Sequence, residues 1–113
     1  MASSNEEMIQ ADHILAEMVR RLVAAFQPER IYLYGSRARG EATADSDYDV
    51  MMVVRESNLP RFRRDQVAFR ALCGVGASKE IVVLTRDEFQ AKLSVLCSLP
   101  ATAAREGKLL YAA

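Results

Sequence analysis

The stretch Ile31 to Val54, IYLYGSRARGEATADSDYDVMMVV, constrains this chain more than any other. Two apolar runs rich in β-branched and aromatic residues flank a polar segment, so they read as two strands joined by a connection that opens on Gly35-Ser36 and closes on Asp47-Tyr48-Asp49. A strand that stops at Gly-Ser ends in a tight turn, and there the Ser hydroxyl and the neighbouring backbone N–H groups are free to face an anion. In an extended chain residues i and i+2 share a face, so Asp47 and Asp49 aim at one point while Tyr48 turns the other way, towards the core.

Two carboxylates on one face repel, and burial would force one to keep its proton unless a cation lies between them. Oxygen-only ligation suits Mg²⁺, which takes one or two protein carboxylates and fills its remaining positions with water and nucleotide phosphates. A phosphate seat beside an Asp pair therefore makes one coherent Mg-nucleotide site. The bland alternative is a solvated Asp-rich turn; the apolar runs on both sides weigh against it. Arg37 and Arg39 follow the turn two positions apart. On a helix they diverge, so one can reach a triphosphate while the other pairs with an acid or supports a partner surface.

Gly35-Ser36 followed by Asp47-Tyr48-Asp49 resembles the signature of the DNA polymerase β-like nucleotidyltransferase superfamily. The fuller GSRARGEATADSDYDVMMVV resembles its minimal nucleotidyltransferase (MNT) branch, which includes the MntA-like antitoxins of HEPN/MNT toxin–antitoxin pairs. The resemblance runs over about residues 8 to 111: Glu80-Ile81-Val82-Val83-Leu84-Thr85 stands where the branch usually has an Asp opening a strand, and Arg105 to Tyr111 resembles its usual ending. It implies a mixed, antiparallel-containing sheet with helices mainly on one face. It also implies that Gly35 and Ser36 seat the β and γ phosphates of ATP, with Arg37 and Arg39 nearby, and that Asp47 and Asp49 hold Mg²⁺, two ions in all. Glu80 would be the third acid, helping to hold metal or receiving the proton of the attacking hydroxyl. Glu is one methylene longer than the usual Asp, and displacing a catalytic group by about 1 Å can cost on the order of a hundredfold in rate.

The chain has 113 residues, half of them apolar, with 15 basic residues against 15 acidic ones. That fits one domain over residues 1–113 with a single core, and argues against disorder and against a broad electrostatic grip on nucleic acid. The opening MASSNEEMIQ lacks a basic segment followed by an apolar core, and no apolar run is long enough for a bilayer, so the expected location is cytoplasmic. Cys73 and Cys97 lack metal-type spacing and are expected as reduced core thiols rather than ligands or a disulfide. His13 stands alone and is given no catalytic role.

In chain order, Ser3 or Ser4 with Glu6 or Glu7 reads as a capping box for a helix running to Phe26, its apolar stripe made by Met8, Leu15, Met18, Leu22 and Phe26 with Ile14 and Val19. Gln27-Pro28 ends it. After the strand 31–34, a short helix over Arg37 to Arg39 breaks at Gly40, and Thr43 to Ser46 loops back to the strand 48–54. Arg61 to Leu72 reads as a helix with Phe62, Val67 or Ala68, and Leu72 inward, and with Arg61, Arg63 and Arg64 on a solvated face. A strand over 81–84 leads into a second capping box, Thr85 to Glu88, and a helix carrying Phe89, Leu93 and Leu96 towards Cys97. Pro100 restarts the chain, a short helix ends at Gly107, and residues 108–111 form an edge strand. The alternation of strands and helices gives a small α/β domain.

Larger relatives carry extra domains for the acceptor, so in this chain a partner is expected to bring it. The MNT resemblance implies a helical HEPN toxin as partner and transfer of AMP from ATP to a hydroxyl on that protein. Two other readings stand beside it: an antitoxin that neutralises by occlusion, its acidic site inactive, and a free-standing enzyme acting on a small molecule in a pocket made by homo-oligomerisation.

Overall fold

The computed structural model describes residues 11–113, so the capping box at Ser3 or Ser4 and the packing of Met8 lie outside the described residues. Helix α1 (His13–Phe26) starts from Asp12, whose Oδ1 accepts the N–H groups of Ile14 (3.0 Å) and Leu15 (3.1 Å). This satisfies two amides that would otherwise lack intrahelical partners. The helix stops at Gln27, which is left-handed (φ 49°) ahead of Pro28. Strand β1 (Arg30–Tyr34), the four-residue helix α2 (Ser36–Arg39) and strand β2 (Tyr48–Val54) follow, in the order the sequence leads one to expect. Then come α3 (Arg61–Ala71), β3 (Lys79–Thr85), α4 (Arg86–Leu93), α5 (Leu99–Glu106) and β4 (Lys108–Ala112).

The sheet runs β3-β2-β1-β4. β1 is antiparallel to β2 and β4, whereas β2 and β3 are parallel and joined through α3, as a parallel pair requires a crossover. The longer helices α1 and α3 share one face, where Leu15, Met18, Leu22, Ala68 and Leu72 pack on Ile31, Leu33, Val50, Met52, Ile81 and Val83. The short α4 and α5 cover the other, with Phe89 and Ala103 on Tyr32, Met51, Val53, Val82 and Leu84. Burial on both faces explains why β2 reads as an unbroken apolar run instead of alternating. Among the described residues no helix is long and apolar enough to cross a membrane.

Several sequence expectations need correction. Phe62 does not face inward: it is 63% exposed, because the inward stripe of α3 is Arg64, Ala68 and Leu72 at i, i+4 and i+8, and Phe62 lies two residues off it. Arg64 is therefore not part of a solvated face. At 5% exposure it reaches past β3 to form a bidentate pair with Glu88 (2.7 and 3.0 Å), and it donates to the carbonyls of Val83 and Leu59 (3.0 Å each). Asp65 Oδ1 accepts the Val83 N–H at 2.8 Å, so α3 side chains close the outer edge of β3 at this point. The Thr85–Glu88 capping box forms as expected, yet α4 ends at Leu93, which leaves Leu96 80% exposed. Neither cysteine is a core thiol. Cys73 follows the last turn of α3 and Cys97 is left-handed between α4 and α5; both are exposed.

Candidate active site

At the Gly35 end of the sheet the register aligns three side chains across one face. Tyr34 of β1 pairs with Asp49 of β2, and Asp49 pairs with Glu80 of β3. In-register neighbours on adjacent strands lie about 5 Å apart and point to the same side, so the Asp49 and Glu80 carboxylates are side by side. Asp47 precedes β2 by one residue, in the exposed end of the loop.

Gly35 is fixed here twice over. Its φ of +77° disfavours a side chain, and a Cβ at that position would overlap Asp49 Oδ2. The turn and the carboxylate thus occupy adjoining space, which ties the two halves of the motif together. Beyond Gly35, the Ala38 and Arg39 amides return to the Gly35 carbonyl (3.1 and 3.2 Å) and the Glu41 amide to that of Ser36 (2.9 Å). The Ser36 and Arg37 amides and Ser36 Oγ have no hydrogen-bond partner among the described residues, so they remain available at the first turn of α2.

The electrostatics follow from this crowding. Burial pushes the Asp49 carboxyl up, the charges of Glu80 and Asp47 push it further, and Arg39 opposes them only in part. Tyr34 is driven to about 12, first by burial and then by Glu80 and Asp49. Among the described residues no three Asp, Glu, His or Cys side chains stand preassembled around one metal position. The donors nevertheless suit Mg²⁺: they are oxygen only and crowded, with Asp49 partly desolvated, and the ion draws most of its shell from water and phosphate.

Arg37 and Arg39 diverge, as their spacing demands. Arg37 donates to the Ser46 carbonyl through Nε (3.1 Å) and Nη2 (2.9 Å), reaches Thr43 O at 3.4 Å, and lies 3.9 Å over the Tyr48 ring. It clamps the residue immediately before Asp47. Arg39 instead pairs with Glu41 at 2.9 Å on the surface, where its charge also reaches Asp49. Such an exposed pair is weak.

Tyr48 is core, as its position between the two Asp requires, and its hydroxyl donates to Asp12 Oδ2 at 2.7 Å. Asp12 thus caps α1 and pins the strand that carries the acids. Sequence reasoning missed Asp12, Tyr34 and the clamping role of Arg37. Only Tyr34 carried a signal, being the residue before the Gly-Ser turn and so the cross-strand neighbour of the second Asp.

Comparison with solved structures places this geometry. A protein of Sulfolobus solfataricus described as a candidate nucleotidyltransferase superposes with a TM-score of 0.64 at 22% identity, covering 99% of this chain and 90% of its own. A toxin–antitoxin structure with AMP-PNP gives 0.57 at 22% identity over 87% of this chain and 73% of that one. A toxin–antitoxin MntA–HpeT mutant with two Asp replaced by Glu gives 0.54 at 19% identity, over 87% and 72%. At these identities the likeness is one of fold. No curated protein sequence matches significantly. The model of the nucleotidyltransferase domain family, however, matches residues 15–107, which takes in the turn, all three acids and the three strands that align them. The chain belongs to the nucleotidyltransferase domain family.

Proposed function

We propose that this protein transfers AMP from ATP to a hydroxyl on a partner protein in a Mg²⁺-dependent reaction, and that it does so in the cytoplasm as the antitoxin of a HEPN/MNT-type pair. The observation that carries the transferase reading is the alignment of Asp49 with Glu80 beside Gly35, with Asp47 close enough to add to the charge. Among the described residues the charge of this cluster is opposed only in part, by Arg39, which is itself paired with Glu41, and a metal–triphosphate would complete the neutralisation. Mg²⁺ bound by Asp47 and Asp49 would offset the charge on the phosphates and on the leaving pyrophosphate.

The chain's own groups do the rest. The Ser36 and Arg37 amides with Ser36 Oγ bind the β and γ phosphates, and Arg39 exchanges Glu41 for phosphate. Arg37 holds the loop so that Asp47 stays near Asp49. Glu80, on the far side of Asp49 from the turn, meets the acceptor. The acceptor oxygen bonds to the α-phosphorus, the bond to the β-phosphate oxygen breaks with its electrons leaving on pyrophosphate, and the hydroxyl proton passes to Glu80.

The AMP-PNP and toxin–antitoxin structures of the same fold support ATP as donor and a protein partner. Intact-mass spectrometry of the partner that co-purifies from the host, with Mg-ATP and beside an Asp47→Asn control, tests the assignment. One added AMP, absent in the control, is expected. A stable complex with no mass change would favour neutralisation by occlusion, with Glu80 as the suspected lesion.

A further inference from the structure

Glu80 also lines a cleft of about 840 Å³ between the outer side of α3 and the start of β3. Its walls include Gln66, Phe69, Arg70, Cys73, Lys79 and Ile81. Three features say what this cleft is suited to hold. First, its charges are unevenly committed. Asp65 accepts the Val83 N–H and faces Arg61 at 3.8 Å, and Lys79 Nζ donates to the Val75 and Ala77 carbonyls (3.2 and 3.0 Å). The Arg70 carbonyl accepts the Cys73 N–H, but its guanidinium has no hydrogen bond or ion pair among the described residues. The cleft therefore presents one free guanidinium along its length and ends at Glu80, whose side chain strand alternation sets on the Asp49 face of the sheet, around the β3 edge.

Second, Phe69 is 54% exposed, with Lys79 Nζ 5.4 Å from its ring, and it offers an apolar floor. Third, β3 is the outermost strand. Its Val83 N–H and carbonyl point outward and are capped by Asp65 and Arg64. Backbone direction alternates along a strand, so the Ile81 N–H and carbonyl point outward too, and no side chain among the described residues caps them. An open main-chain edge is recognised by another extended main chain, which a small molecule cannot supply.

We infer that the α3–β3 cleft receives the acceptor as an extended polypeptide segment that pairs with the β3 edge at Ile81, sets an acidic residue on Arg70, and delivers its hydroxyl side chain to Glu80. This rests on the transferase reading above and adds which surface, and which chemistry, selects the acceptor. The donor and acceptor then approach Asp49 from opposite sides, ATP from Gly35 and the peptide from Glu80.

The test uses α-labelled ATP with Mg²⁺ and synthetic peptides carrying a central Tyr, Ser or Thr between acidic or basic residues, some N-methylated along the backbone. The protein is the full chain carrying Cys97→Ser, so that Cys73 is its sole thiol. Acidic-flanked peptides should be labelled at least about tenfold faster than basic-flanked ones, and Arg70→Glu should reverse the order. N-methylation should abolish labelling, as should a bulky maleimide on Cys73. Mg-ATP affinity should stay within about twofold in both altered proteins, and Mg-ATP should not slow Cys73 alkylation. Labelling indifferent to flank charge, backbone methylation and the Cys73 adduct would overturn the inference. So would protection of Cys73 by Mg-ATP, which would make the cleft the donor's, or ATP cleavage to AMP without labelling of any peptide. Absence of both Mg-ATP binding and ATP cleavage would instead remove the transferase reading, and the inference with it.

Discussion

Two acidic clusters flank β3, and they are treated in opposite ways. Near its end, Glu88 is gripped by Arg64 Nη1 and Nη2 and by the Thr85 amide, and these hydrogen bonds, Arg64's above all, hold its carboxyl down to about 2. At its start, Glu80 and Asp49 lie side by side with no comparable cation, and the Asp49 carboxyl is pushed up. The first arrangement stabilises the fold: it ties α3 to α4 across the sheet edge. The second costs stability, because like charges are crowded where water is partly excluded. A thoroughly paired acid at one end of a strand and a repelling pair at the other support the proposal that the repelling end binds a ligand that brings positive charge.

Substitutions at the two ends should therefore separate activity from stability. The largest effect is expected at the unpaired end: Asp49→Asn should lower AMP transfer by about a thousandfold or more while the melting temperature holds or rises, since a repulsion is removed. Transfer assays and thermal melts on one sample would show both, and a large drop in melting temperature would contradict the comparison. At the paired end, Arg64→Met should leave the Val83 and Leu59 carbonyls and the Glu88 carboxylate without their donor. It should cost roughly 3 kcal/mol in denaturant unfolding with Mg-ATP affinity unchanged.

Gly35→Ala sits between the two, because its new Cβ would meet Asp49 and its φ would be strained. About 2 kcal/mol of stability and on the order of a hundredfold in transfer should be lost together. Acid provides the mildest probe. The folded Glu88 value is depressed, so its contribution is complete above pH 4.5 and drains as pH falls towards about 2. Melting temperature in the wild type should decline more steeply over that window than in Arg64→Met.

The unpaired end was legible in the sequence because it is local: Gly35-Ser36 and Asp47-Tyr48-Asp49 lie on one connection, and strand alternation alone aims the two Asp. The paired end was not. Arg64 looked like one of three arginines on a wet helix face, and only the tertiary arrangement shows that α3 runs past the edge of β3 and places this guanidinium against Glu88. Phe62 was misplaced for the same reason, since α3 carries two apolar stripes and the sheet, not the helix, decides which is covered. Asp12 was invisible because a cap that also receives a hydroxyl from Tyr48 depends on two segments far apart in sequence. The sheet itself read well, with β2 found at its full length, because its unbroken apolar run leaves little freedom.

Whether the crowded acids beside Gly35 form a metal–nucleotide site is decided by calorimetric titration of ATP into the wild type and Asp49→Asn, each with and without Mg²⁺. ATP should bind the wild type strongly only when Mg²⁺ is present, and Asp49→Asn should lose that dependence. Binding of equal strength in all four titrations would mean that the carboxylates take no part in holding the nucleotide, and would contradict a metal–nucleotide site there.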